Sequence, residues 1–460
     1  MDVGFFLNCG ASEAIELHGL KYEPDSSFIS TGNTTDAKSN SGQLQPILSK
    51  VRFFPDKSAR KSCYTLPVTK GIKYLVRTTY YYGEFDGGKQ PPIFDQIIDG
   101  TTWSVVNTTE DYAKGMASYY ELVMAAQNRV LAICVARNRQ TSGDSSPFIS
   151  GLEVIALGDT LYKSVDFGKF MLSTVARNTF GWNANDSSED GIIRDLAKMD
   201  GGKFTLGSEL DQLWTGSNLN LPLGFVHKVF KNASSNDDQF HRFWVPFEDT
   251  SPIVKCQANI TPSDFWNMPP IKALKSGTTA SRGKSIQIQW PKAPLPGSNY
   301  HVSLYFQDNR SPSPFSWRVF SISVNGQTFY TNVNVTTKGV NVYATQWPIS
   351  AGQAQITLAP AEGAPVGPLI NAAEMFQIVP LGGRTNARDV MAMEDMRKSF
   401  KNPPSDWTGD PCLPKENSWT GVSCSQTNDL ARVASVNLTG KGISGSLSPS
   451  IGNLSAIAHL

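Results

Sequence analysis

The chain lacks the features that mark several large functional classes. No run of about 18 apolar residues occurs, so no segment reads as a membrane-crossing helix. The formal net charge is only +1, which provides no broad basic field for nucleic acid or an anionic membrane. CxxC, Cys/His clusters, HExxH, GxSxG and a phosphate-binding glycine loop are all missing, and the five histidines stand isolated. These absences argue against structural zinc, metalloprotease, serine-hydrolase and nucleotide chemistry. No cofactor, no metal and no catalytic residue is therefore expected. A glycoside hydrolase would need two carboxylates set across a cleft, and nothing in the sequence pairs them. The opening MDVGFFLNCGAS has no basic n-region, and its apolar run is only Phe5-Phe6-Leu7. It does not read as a signal peptide, and the sequence is expected to be a piece of a longer protein.

What is present points to a folded chain exposed to an oxidising compartment. The 460 residues are 40% apolar and 18% charged, enough for two to four packed domains. Nine Asn-x-Ser/Thr sequons occur, at Asn33, Asn107, Asn185, Asn232, Asn259, Asn309, Asn334, Asn437 and Asn453. Chance would supply roughly two or three in such a composition. The six cysteines, Cys9, Cys63, Cys134, Cys256, Cys412 and Cys424, are even in number and widely spread. Together these features predict a secreted or cell-surface glycoprotein with disulfides.

Most of the chain reads as short β-strands. Runs such as IKYLVRTTYYYG (72–83), RVLAICVAR (129–137), KSIQIQWP (284–291) and NYHVSLYF (299–306) alternate in polarity between turn residues. An internal repeat organises them. Residues 73–103 align without a gap on 299–329, an offset of 226, so that Tyr80 meets Phe306 and Phe94 meets Phe320. In the same alignment Asp99-Gly100 meets Asn325-Gly326, both hairpin-turn dipeptides. A second echo sets SPFISGLEVIAL (146–157) against GPLINAAEMFQIVPL (367–381). The fold class expected is mainly β, with two tandem sandwiches at 1–165 and 241–384 joined by a connecting region at 166–240. A short helix at Ile192–Leu196 is possible within that connection.

The last part changes character. Val390, Met393, Met396 and Phe400 recur at near-helical spacing after Asn386 and Asp389, and Pro403-Pro404 follows. This predicts a linker helix within 385–404. Residues 405–430 contain DWTGDPCLPKENSWTGVSC. From 431 to 460 the pattern Val433-x-x-Val436-x-Leu438 fits a leucine-rich repeat and restarts 24 residues on, at Ile457-x-x-Leu460. A lone repeat cannot bury its apolar face, so further repeats are expected beyond this stretch.

The tandem sandwiches, FFLNCGAS, CYTLPV and the WTGDPC clip running into leucine-rich repeats resemble malectin-like plant receptor ectodomains across nearly the whole chain. Lys441 and Ser448 depart from the repeat's preferred Asn and Pro. The resemblance implies malectin-fold domains, a carbohydrate-binding character and a cell-surface location, attached to the membrane only through segments outside this sequence. Partners implied are a cell-wall oligosaccharide, or a secreted peptide with a co-receptor protein. Sugar recognition needs an aromatic face edged by carboxylates or amides. Tyr81, Tyr82, Asp86 and Tyr120 are the candidates, from TTYYYGEFDGG and ASYYELV. Tyr80, with Phe306 as its counterpart, is assigned to the core. A purely protein-binding scaffold is the competing reading. Cys412–Cys424 is the expected bridge of a repeat-array cap sealed by Trp407 and Trp419. The other four cysteines allow three pairings, of which Cys63–Cys134 is preferred because both lie in strands.

Overall fold

The computed structural model describes residues 4–17, 19–38, 44–87, 90–181, 214–215, 218–222, 238–247, 249–256, 261–309 and 313–460. The sequons Asn185, Asn232 and Asn259 and the stretch Ile192–Leu196 lie outside the described residues. The chain divides into two compact units. One comprises Gly4–Ser118, Met124–Val154 and Pro380–Leu460, and the other Tyr119–Val123 and Ile155–Val379.

In the first unit, a strand path runs Ile15–Leu17, Leu20–Pro24, Phe5–Asn8, Gly151–Ala156, Lys73–Tyr80. A second, antiparallel sheet orders Ser62–Pro67, Val130–Arg137, Ile93–Ile98 and Thr101–Asn107. Cys63 and Cys134 face each other directly across its first pair and are bridged. In the second unit, Phe170–Thr179, Ala372–Pro380, Ser298–Phe306 and Val340–Ile349 form one sheet. Ile286–Gln289, Gln355–Pro360, Arg318–Val324 and Gln327–Val335 form the other. Strand alternation decides what lies between them: Tyr300, Val302, Leu304 and Phe306 join Ile288, Phe320, Ile322, Ile356 and Leu358 in one buried core. Residues 170–179, grouped by composition with the connecting region, are thus a full sheet strand.

The internal repeat holds at the level of single hydrogen bonds. Asp99 and Gly100 both have positive φ, 43° and 81°, as do Asn325 and Gly326, 49° and 77°. These are the dihedrals of a tight hairpin turn, which Asn, Asp and Gly tolerate best. The Asp99 N–H donates to Ala132 O at 2.9 Å while its Oδ1 accepts from the Ala132 N–H at 2.8 Å. Asn325 makes the same pair with Gln355, at 2.8 and 2.7 Å. Likewise Ser150 donates its N–H to Thr79 O and accepts from the Tyr81 N–H. Asn371 repeats this with Tyr305 O and the Gln307 N–H.

The C-terminal part of the first unit completes the sandwich with a cap. The helix Ala387–Ser399 starts at Asn386, whose side chain accepts from the Arg388 N–H. Ala392, Met393 and Met396 of that helix share a core with Trp407, Trp419, Leu413, Val433 and Leu454. Val390 lies at its half-exposed margin. The two indoles stack at 5.2 Å, and each donates its Nε1–H to a backbone carbonyl, Thr420 O and Thr408 O, at 2.9 Å. Cys412–Cys424 closes the clip with Cα atoms 5.7 Å apart. Asp410 turns the chain by accepting from the N–H groups of Cys412 and Leu413 and from Thr385. Gly409, at φ 68°, lies on the Cys63–Cys134 bridge, where a Cβ would sit 2.9 Å from Cys63 Sγ. Buried Lys61 donates to the carbonyls of Asp410 and Leu413 at 2.6 and 2.8 Å, and burial pushes its ammonium down to about 8. The next repeat then begins in step: Ser435 bridges His459 in parallel, 24 positions on.

Burial, with Asp410 nearby, pushes the Asp99 carboxyl up to about 7. Between the unfolded value near 3.9 and pH 7, the folded chain keeps a proton that the unfolded chain has lost. Stability therefore falls as the pH rises through that window. Asp99→Asn keeps the accepting Oδ1, as Asn325 does. It is expected to raise first-unit stability at pH 7.5 by about 1–3 kcal/mol and to flatten the change between pH 4 and 7. Thermal unfolding across that range checks both. The double change Cys412→Ser, Cys424→Ser is expected to cost the cap about 2–3 kcal/mol. Hydrogen exchange should then speed up around Trp407 and Trp419.

Candidate functional site

The residues singled out from the sequence sit where the strand Lys73–Tyr80 ends. Alternation turns Tyr80 inward, and its hydroxyl donates to Gln96 Oε1 at 2.7 Å. Tyr81 points to the opposite face, and its hydroxyl donates to Lys38 O at 3.2 Å. The chain then turns through Glu84, at φ 49°, and Gly87, at φ 93°. This brings Asp86 back onto Tyr82, whose hydroxyl donates to Asp86 Oδ1 at 2.5 Å. A parallel pair stands beside it: Tyr112 donates to Glu84 Oε1 at 2.5 Å. The Tyr82 ring meets Tyr112 and Phe85 edge-on at 5.1 and 5.4 Å, and Phe85 in turn packs on Phe53 and Phe148. Burial and the bond to Asp86 push the Tyr82 phenol up, so it remains a donor. The bond to Glu84 pushes the Tyr112 phenol up as well.

Tyr82 and Asp86 are thus brought together, with Tyr82 only 2% exposed. Tyr81 is also buried. Tyr120, in the part Tyr119–Val123 of the strand Met116–Ala125 that belongs to the second unit, is 1% exposed and presents no ring face to solvent. The polar edge that reaches the surface is Glu84, Asp86 and Tyr112, all half-exposed. The Oδ2 atom of Asp86 is itself buried and has no hydrogen-bond partner among the described residues. Tyr112 lies on a short helix, Thr109–Ala113, and no sequence spacing ties it to the loop. Two phenol–carboxylate pairs can receive hydroxyl or amine donors. Each carboxylate is held by a phenol, which is not the geometry of an acid–base pair.

A second constellation lies in the other unit and is closed to ligands. The odd-numbered side of Ser298–Phe306 faces a layer built by Tyr162, Arg242, Trp244, Phe265 and Asn267. Glu374 sits in it, accepting from Arg177 Nε and the Tyr162 hydroxyl at 2.8 Å and from the Tyr305 hydroxyl at 2.6 Å. Arg177 also donates to Glu121, and Arg242 to Asp238. Burial pushes Glu374 up, but Arg177 and Arg242 outweigh it and hold the carboxyl below the usual range. Burial pushes the His301 imidazole down to about 4. At the rim, Trp266, 43% exposed, stacks on Tyr343 at 4.6 Å with Lys163 Nζ 4.8 Å from its ring centre. Among the described residues no His, Cys, Asp and Glu group could hold a metal ion. Cys9 and Cys256 are free and buried. The sequon asparagines Asn33, Asn107, Asn309, Asn334, Asn437 and Asn453 are all exposed.

The sequence pattern described as Malectin-like domain matches residues 7–195 and 219–378, and that of the Leucine rich repeat N-terminal domain matches 386–425. Among curated relatives, the probable LRR receptor-like serine/threonine-protein kinase PAM74 of Arabidopsis thaliana is 25% identical over 100% of this chain and 46% of its own length. The corresponding kinase MEE39 of the same plant is 25% identical over 96% of this chain and 44% of its own. The chain therefore spans a little under half the length of these relatives. In fold it is similar to the ANX1 ectodomain of Arabidopsis thaliana, at a TM-score of 0.56 and 18% identity over 82% of this chain and 96% of that one. The plant receptor-like kinase FER gives 0.59 at 15% identity over 82% and 96%. A further similar structure holds FER in complex with the plant peptide RALF23 and LLG2, at 0.56 and 14% over 82% and 95%.

Removing the charge at the centre of the second network leaves buried Arg177 with Glu121 alone and Arg242 with Asp238 alone among the described residues, and gives the Tyr162 and Tyr305 hydroxyls a neutral acceptor. Glu374→Gln is expected to cost the second unit about 3 kcal/mol or more, read by thermal or urea unfolding. In the unaltered chain, the stability owed to Glu374 should be lost as the pH falls below the ordinary carboxylate range.

Proposed function

The chain belongs to the malectin-like domain family, and on that footing we propose that it is a non-catalytic extracellular recognition module of a plant cell-surface receptor-like protein. It takes a cell-wall saccharide or a secreted peptide, the latter alone or beside a co-receptor protein. The observation that carries this reading is the order of parts: paired β units running into a leucine-rich-repeat cap, matched end to end by relatives described as receptor-like kinases. Membrane attachment and any kinase output belong to the half of those relatives that lies outside the match. The exposed sequon asparagines support an extracellular setting and are proposed as glycosylation sites.

The contact edge proposed is Asp86 with Glu84 and Tyr112, where two half-exposed carboxylate residues meet an aromatic rim. Tyr82 and Tyr81 support it from beneath, and Tyr120 supports the core of its own unit. The presence of the peptide RALF23 in a complex with FER, a protein of similar fold, and LLG2 supports a peptide ligand as the second reading.

The test is binding to a panel of cell-wall oligosaccharides with the unaltered chain and with Asp86→Asn, Glu84→Gln. Loss of about tenfold or more in affinity, roughly 1.4 kcal/mol, with unchanged melting temperature and no turnover of the bound sugar, is the expected result. Hydrolysis of the sugar would sink the non-catalytic reading. Peptide binding with no saccharide signal would favour the scaffold.

A further inference from the structure

The cap of the first unit carries an open groove of about 760 Å³ beside the Cys412–Cys424 bridge, within the size range of ligand-binding clefts. Its lining is one-signed. Arg60, Lys415 and Lys441 contribute three cations, Ser58, Ser418, Thr420, Ser423, Asn437 and Thr439 contribute polar groups, and no carboxylate lines it. The acids nearby are already engaged. Asp406 accepts from the Arg60 N–H and from Thr420, and Asp56 accepts from Ser58 and Ser405. Lys415 and Lys441 are exposed, and neither is ion-paired among the described residues. The Arg60 guanidinium is steadied by Ser418, with Nη1 3.0 Å from its hydroxyl, which leaves further N–H groups of the fork to offer.

Gly421, Val422, Ser423 and Cys424 line one wall of the groove, the last three opening the strand Val422–Thr427. That strand is the last of a three-stranded sheet, after Arg384–Thr385 and Leu430–Val436. Its outer side pairs with no strand among the described residues. The Val422 N–H and C=O, on the outer side, are used locally by Trp419 and Ser418, so the open outer groups begin at Cys424, since Ser423 pairs inward with Ser435. An unpaired strand edge is a template for another extended chain, and cations along it select which chain.

We propose that this groove binds an extended acidic segment of a partner polypeptide. The segment adds as a strand along Cys424–Thr427, with its carboxylates on Arg60, Lys415 and Lys441. Backbone pairing favours a peptide over an acidic saccharide, because only a peptide repeats N–H and C=O at the strand's spacing. Charge-assisted bonds to the guanidinium and ammonium groups then set register. None of these residues belongs to the loop 82–86, so failure here leaves the saccharide reading untouched.

The test uses a fluorescein-labelled decapeptide of alternating Glu and Thr, followed by anisotropy on the full chain. Asn437→Gln is measured alongside, because a glycan on that sequon would stand at the groove's lip. Saturable binding is expected, weakening with salt between 50 and 300 mM. Lys415→Glu, Lys441→Glu should weaken it at least tenfold without moving the melting temperature. A decapeptide N-methylated at alternate residues should lose binding to the same degree. Absence of binding in both chains would overturn the proposal and leave the lysines as guards of an open edge. Indifference to charge reversal would also overturn it. So would equal binding by the N-methylated peptide and by an acidic oligosaccharide of matched charge.

Discussion

The buried carboxylate on the last main strand of each repeat, Glu153 in one and Glu374 in the other, decides what its neighbours can be. An ionised carboxyl inside a covered sheet face is tolerable only beside a cation and hydroxyl donors. Glu153 has Arg77 at 2.5 Å and the Tyr22 hydroxyl at 2.9 Å. Glu374 has Arg177, Tyr162 and Tyr305. In each repeat these partners come from far along the chain, so satisfying one carboxylate fixes the pairing of several strands. Replacing such a group by an apolar one need not destabilise, whereas removing a single partner does. Each carboxylate thus ties together strands that are distant in sequence.

The cap follows a different logic. Its residues are placed by main-chain carbonyls and N–H groups as well as by an apolar core. Asp410 caps a turn, the two tryptophans tie their indole N–H groups to loop carbonyls, and Lys61 reaches in to two more. Gly409 is required by contact as well as by its dihedral, since the Cys63–Cys134 sulfurs occupy the space of any side chain.

Sequence reading reached the repeat, the two hairpin turns, the linker helix and the 24-residue period, because each rests on local geometry. A positive φ favours Asp, Asn or Gly whatever surrounds it, and His459 meets Ser435 because repeats stack at a fixed spacing. Reading failed where both faces of a strand are covered. From sequence, Tyr81 and Tyr82 are ligand-facing candidates and Tyr80 is core. All three are buried, since Phe148 and Lys38 cover them from a distance in sequence. Tyr112 was invisible for the same reason. The strand Phe170–Thr179 was hidden by the polar stretch that follows it.

Discontinuity of the first unit has a bearing on biogenesis. A ribosome delivers residues 4–154 long before 380–460, yet Lys61 finds its carbonyl partners only on Asp410 and Leu413. The Cys63–Cys134 pair is likewise covered only once Gly409 arrives. Through most of synthesis this half-built sandwich waits with a buried-type lysine in water and a bridge open to exchange. An incomplete unit of this kind is the species that chaperones bind.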